Sequence, residues 1–186
     1  MELGSNGPCR YFGLHFESRL HATWAAFFDH LGWHYEYRPF GPRGWAPTFS
    51  LIGASTVLVG VEPELKPTPA ARLLASGSSR VAGHRGDILL LGTGLGSIRA
   101  GGIALGAIAE WCGGDYGWGD AVPHVGGGIG FCHDSLSYRN RMTGFHDGDR
   151  GAGDGEERFV EAWRAARRAA LIADRAADGR VRRPPW

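Results

Sequence analysis

Pro47-Thr48-Phe49-Ser50-Leu51-Ile52-Gly53-Ala54-Ser55-Thr56-Val57-Leu58-Val59-Gly60-Val61-Glu62 is the stretch whose reading decides the fold of this chain. Thr48 to Ile52 and Ser55 to Glu62 read as two strands joined at Gly53-Ala54. The second is dense in β-branched residues, as a central strand is, and Pro63 and Pro67 end it. On the N-terminal side, Trp33, Tyr35 and Tyr37 alternate with His34, Glu36 and Arg38, the period of a half-buried strand. Pro39, Gly41, Pro42, Gly44 and Pro47 make the link between them rich in turns. Before that strand, Leu20, Trp24, Phe27, Phe28 and Leu31 recur at helical spacing behind the N-cap Ser18, and Gly32 stops the helix. Tyr11 to Phe16 predicts a strand or hairpin arm after a loose start over residues 1–10.

Working outward toward the C-terminus, Thr68 to Ser76 predicts a short helix with Thr68 as cap and Gly77 as stop, and Asp87 to Leu91 a compact apolar strand. Helix, three strands, helix, strand is the order of an α/β unit with a mixed sheet. Beyond Gly92 the glycines crowd together, Gly126-Gly127-Gly128 among them, and are interleaved with Trp111, Tyr116, Trp118 and Phe131; periodicity fails and the segment reads as hairpins and loops. The run Leu89 to Gly96 lacks the glycine spacing and the following helix of a dinucleotide-binding loop, so it reads as a turn between strands. Asp154 and Glu157 form a capping box for a helix from about Gly155 to Ala177, with Phe159, Trp163, Ala166 and Ala170 as its apolar stripe. The expected organisation is one domain over residues 1–177, with a core at 11–91, an irregular segment at 92–153 and a terminal helix at 154–177. A basic tail occupies 178–186.

The formal net charge of +1 excludes a bulk field that would pull the chain onto nucleic acid or acidic lipid, so any such contact needs a local patch. Lys66 is the one lysine among 20 basic residues, a bias that a GC-rich genome accounts for. Cys9, Cys112 and Cys132 are too few and odd in number for a disulfide framework. Cys112, His124, Cys132 and His133 have zinc-ligand chemistry but no closely spaced cysteine pair, so no metal site is assigned to them. There is neither a signal-peptide core nor a stretch of membrane-span length, and the expectation is a soluble, cytoplasmic protein without a membrane partner.

From Tyr11 to Val61 the chain resembles small restriction-endonuclease-like proteins of the PD-(D/E)xK nuclease superfamily found in actinobacteria and their phages. The resemblance is carried by Phe16-Glu17-Ser18-Arg19-Leu20-His21-Ala22-Thr23-Trp24-Ala25-Ala26-Phe27-Phe28-Asp29, by Leu31-Gly32 leading into Trp33-His34-Tyr35-Glu36-Tyr37, and by Trp45-Ala46-Pro47-Thr48-Phe49, where the family has tyrosine-x-proline-aspartate-phenylalanine. The arginine- and alanine-rich helix Glu157 to Ala170 is similar to the one that ends many members. The resemblance implies a mixed sheet flanked by helices, with the Gly/Trp-rich segment as a loop or hairpin insertion. In the family a helix glutamate and two strand carboxylates hold Mg²⁺, and a lysine two residues past the strand glutamate positions the attacking water. Those positions fall here on His21, Thr48, Gly60 and Glu62. All four depart from the pattern, and a glycine supplies no ligand at all.

The resemblance therefore implies a catalytically degenerate nuclease fold with no metal and no cofactor, retaining a nucleic-acid-binding or assembly role. DNA is the first partner expected, through Arg164, Arg167 and Arg168. One alternative is an active Mg²⁺-dependent endonuclease with a site shifted to Glu17, Glu62, Glu64 and Lys66; against it, Pro63 puts Glu64 and Lys66 on a turn and the aspartate position stays empty. The other is a protein-interaction subunit of a phage or defence system that uses the Trp/Gly-rich segment as its surface.

Overall fold

The structure is a computed structural model that describes residues 7–39, 45–62, 86–96, 102–111, 116–146 and 154–177. The predicted helix Thr68 to Ser76 and the tail at 178–186 lie outside the described residues. The chain divides into two compact units, Met1–Gly32 with Glu161–Trp186, and Trp33–Val160.

In the first unit, β1 (Cys9–Tyr11) and β2 (Leu14–Phe16) form the hairpin expected from the apolar run, closed by the two-residue loop Phe12-Gly13. The helix α1 (Arg19–His30) begins as its sequence requires: Ser18 is extended, and its hydroxyl accepts the His21 N–H at 3.2 Å. It stops at Gly32, whose φ of +69° is open to glycine at little cost and whose N–H reaches the Asp29 carbonyl at 3.0 Å. The predicted apolar stripe is a fully buried aromatic cluster of Trp24, Phe27 and Phe28. Trp163, from the C-terminal helix α2 (Asp154–Ala177), packs on it, 4.4 Å from Trp24 and 6.0 Å from Phe27 between ring centroids. Asp154 is itself helical, so α2 starts at the predicted cap position, one residue before the predicted helix start at Gly155.

In the second unit, β3 (His34–Tyr37), β4 (Phe49–Ile52), β5 (Thr56–Val61), β6 (Ile88–Leu91), β7 (Gly106–Trp111), β8 (Tyr116–His124) and β9 (Gly130–His133) lie side by side in chain order. All neighbours are antiparallel except β5 and β6, which are parallel. A parallel pair needs a crossover of a dozen residues or more, and the separation between Val61 and Ile88 supplies that length. Phe49, Val59, Leu89 and Ile108 line up across four strands as one fully buried row. Leu58, Ile88 and Ala109 make a second row on the opposite face, also buried. β5 and β6 are thus covered on both faces, which is why their sequences read as continuous apolar runs rather than alternating ones.

The sheet corrects the expectation of an insertion at 92–153. Three strands of that segment, β7, β8 and β9, continue the main sheet edge to edge. Gly96 N–H bonds the Ala104 carbonyl at 2.8 Å, in keeping with the turn-between-strands reading of Leu89 to Gly96.

Candidate functional site

Thr48 and Gly60 are brought together at the mouth of the β4–β5 pair. Thr48 N–H donates to the Val59 carbonyl at 2.7 Å, and the Thr48 hydroxyl accepts the Val61 N–H at 3.2 Å. That hydroxyl holds the end of β5 in register instead of standing free as a ligand. Beside it, a Cβ built on Gly60 would meet Leu90 Cδ2 and Trp45 Cζ2, each at 3.1 Å. The Trp45 indole therefore fills the space where a side chain from this strand position would project. Trp45 and Trp118 pack on the cluster of Ile88, Leu90, Ala107 and Ala109, so this corner of the sheet is apolar throughout. Trp45 is the residue the sequence reading passed over, and its place just upstream of Thr48 was the available signal.

Glu62 continues β5 by donating its N–H to the Leu91 carbonyl at 2.7 Å, and burial pushes its carboxyl above the usual carboxylate range. His21 lies in the other unit, on α1, with an imidazole that burial holds below the ordinary histidine pKa. Glu17 is exposed after β2. Glu64 and Lys66 fall outside the described residues. Arg164, Arg167 and Arg168 are all exposed on α2, at the spacing that puts them on one helical face. Among the described residues, no three His, Cys, Asp or Glu side chains gather as a metal site; Cys112 lies outside them.

The charged cluster of this unit stands elsewhere, and the sequence did not reveal it. Arg141 is 2% exposed, yet its guanidinium reaches two carboxylates and two carbonyls. Nε donates to Asp87 Oδ2 at 2.6 Å, and Nη1 to the carbonyls of Ser137 and Arg139 at 3.2 and 2.6 Å. Nη2 forms an ion pair with Glu110 Oε2 at 2.8 Å. The donor fork is largely consumed by the protein itself, which suits a staple fastening residues 137–141 to Asp87, just before β6, and to Glu110 on β7.

His133 is part of the same lining. It is fully buried, its Nδ1 accepts the N–H groups of Ser135 and Leu136 at 3.1 Å each, and its Nε2 lies 3.2 Å from the Gly117 carbonyl. Those partners assign the neutral tautomer with the proton on Nε2. Burial lowers its pKa, the nearby Asp134 carboxylate offsetting only part of that. The ring lies where a Cβ on Gly119 would be, so that strand position admits only glycine.

Asn140, also fully buried, organises the glycine-rich turn: its amide donates to the carbonyls of His124, Gly126 and Gly128 at 3.0 to 3.3 Å, and its Oδ1 accepts from Met142 and Thr143 N–H. Trp118 packs on the apolar cluster and Phe131 is fully buried, whereas Phe145 of the same segment is 43% exposed.

The chain as described contains no helix long and apolar enough to cross a membrane. No protein-family model, no curated protein and no solved structure matches it.

Proposed function

We propose that the chain is a catalytically degenerate nuclease-fold protein, with a restriction-endonuclease-like sheet, that retains a nucleic-acid-binding role. The observation that carries the reading is the corner at Thr48 and Gly60. Two adjacent antiparallel strands offer the register that a pair of metal-binding carboxylates requires, and the positions hold a main-chain-bonded hydroxyl and a glycine roofed by Trp45. The sequence α1, three antiparallel strands, a long connection and a parallel fourth strand supports the fold assignment. Charge supports the binding role: the unit comprising residues 1–32 and 161–186 carries nine arginines against six carboxylates, while the other unit is net acidic.

Two measurements test the reading together. Fluorescence anisotropy with a labelled duplex should give an affinity that falls steeply with salt, and changing Arg164, Arg167 and Arg168 to Ala should reduce the slope of log K against log salt by about 2 to 3, since each lost phosphate contact contributes roughly 0.9. An unchanged slope would clear that helix of the role. Absence of binding at low salt would remove the nucleic-acid reading altogether.

A further inference from the structure

The hairpin Cys9–Phe16 holds a residue in a conformation that its side chain disfavours. Its last strand pair is Tyr11 with Leu14, and the loop residues between them, Phe12 and Gly13, have φ of +44° and +80°. Two positive φ values in a two-residue loop are the signature of a type I′ turn, where Asn, Asp or Gly is favoured at the first position. A bulky aromatic there is a true outlier, and strain of this kind persists at sites where it serves a purpose.

Burial is not that purpose. Phe12 is 86% exposed, the highest value among the large apolar residues described, and Leu14 beside it is 50% exposed. The ring makes a T-shaped contact with Tyr11 at 4.8 Å between centroids, and its 86% exposure leaves most of its surface to solvent. Cys9, Tyr11 and Phe16 point into the core of their unit, so the alternate residues Arg10 and His15 point out, directly opposite each other and joined by a contact from Arg10 Nε to His15 Nε2. The tip is therefore a free aromatic face flanked by a cation and an imidazole, in the unit that carries the net positive charge.

We propose that Phe12 is a stacking platform for an unpaired nucleobase, with Arg10 contacting the adjoining phosphate. This rests on the nucleic-acid reading above and narrows it to single-stranded or locally unstacked substrate. A ring standing alone on a turn stacks on a base that is already out of the helix without the cost of opening a duplex, and aromatic stacking tolerates any base. A protein partner fits less well, because one ring and one half-exposed leucine beside Arg10 and His15 give little of the continuous apolar core that such interfaces bury.

The test uses an oligonucleotide bearing one 2-aminopurine, read by fluorescence quenching and by anisotropy at fixed salt. The full chain should bind single strands more tightly than the matching duplex and quench the probe. Phe12→Asn suits the positive φ, so it should raise the melting temperature while weakening single-strand affinity about tenfold. Phe12→Trp should keep both affinity and quenching. Binding that is equal for the unaltered chain and Phe12→Asn would overturn the platform while leaving the nucleic-acid role standing. No binding of either strand form by the unaltered chain would overturn both. Concentration-dependent dimerisation in sedimentation, abolished by Phe12→Asn without any change in nucleic-acid affinity, would assign the tip to a second copy of the chain instead.

Discussion

Two places in the seven-stranded sheet invite comparison, the corner at Thr48 and Gly60 and the cluster around Arg141. The first has the strand geometry for a pair of carboxylates and holds none; the second has two carboxylates, Asp87 and Glu110, and a buried cation already seated between them. A metal nuclease needs both properties in one place: converging acids and an open position for the ion. In this sheet the two properties stand in different places, and each place is closed by a side chain of the protein, Trp45 in one and Arg141 in the other.

Breaking the charged cluster gives the largest expected effect. Arg141→Ala leaves Asp87 and Glu110 without their cation in a mostly buried setting, and should cost about 3 to 5 kcal/mol in urea unfolding. A loss under about 1 kcal/mol would mean that the pair behaves like an exposed one. The apolar corner should be less costly to open: Trp45→Ala removes a partly buried ring from the Ile88, Leu90, Ala107 and Ala109 cluster, for about 2 kcal/mol. Gly60→Ala sharpens the same point. Its methyl would sit 3.1 Å from both Leu90 and Trp45, side chains that yield a few tenths of an ångström, and the cost should be about 1 kcal/mol. That cost should shrink in a Trp45→Ala background, because the two changes share one contact.

The pH dependence is the mildest effect and again separates the two places. Burial lowers the pKa of His133, so the native state binds fewer protons there than the unfolded chain does. Its contribution is complete above the ordinary histidine pKa of about 6.5 and is lost as pH falls through the lowered folded value. His124 acts in the same direction, also through burial. Glu62 acts oppositely: its raised pKa makes the protonated form the favoured one, so its penalty is relieved as pH falls through its folded value. Urea midpoints should therefore drop from pH 7.5 to 5.5, and drop less in His133→Gln; an equal drop would acquit His133.

What the sequence made legible follows from local physics. Ser18 and Gly32 bound α1 because a cap and a left-handed glycine act within a few residues, and the apolar runs marked β5 and β6 because both their faces are buried. β8 escaped the reading because glycines interleaved with aromatic residues erase the strand period there, and its Pro123 is a residue that interior strands disfavour. The structure resolves the conflict: β7 pairs with Tyr116–Asp120 and β9 with Ala121–His124, so Pro123 has a ladder partner on one side only. The Arg141 cluster joins residues 54 positions apart in the chain, at Asp87, and no spacing rule reaches that far. That Thr48 and Gly60 carry no carboxylate is plain in the sequence, whereas the ring over Gly60 became visible only once Trp45 was seen against it.

Placing a metal site at the corner needs more than carboxylates. Thr48→Asp with Gly60→Glu should bind no Mg²⁺ or Mn²⁺ in calorimetry while Trp45 is present, because the Gly60→Glu side chain has no room beside the indole; adding Trp45→Ala is the step that should open the position.

The most direct test of the central claim is nicking of supercoiled plasmid by the unaltered chain in Mg²⁺ or Mn²⁺. The account predicts no nicking above that of a heat-inactivated control in either metal. Metal-dependent nicking that disappears in Glu64→Ala or Lys66→Ala would contradict it and establish an active site shifted along the chain.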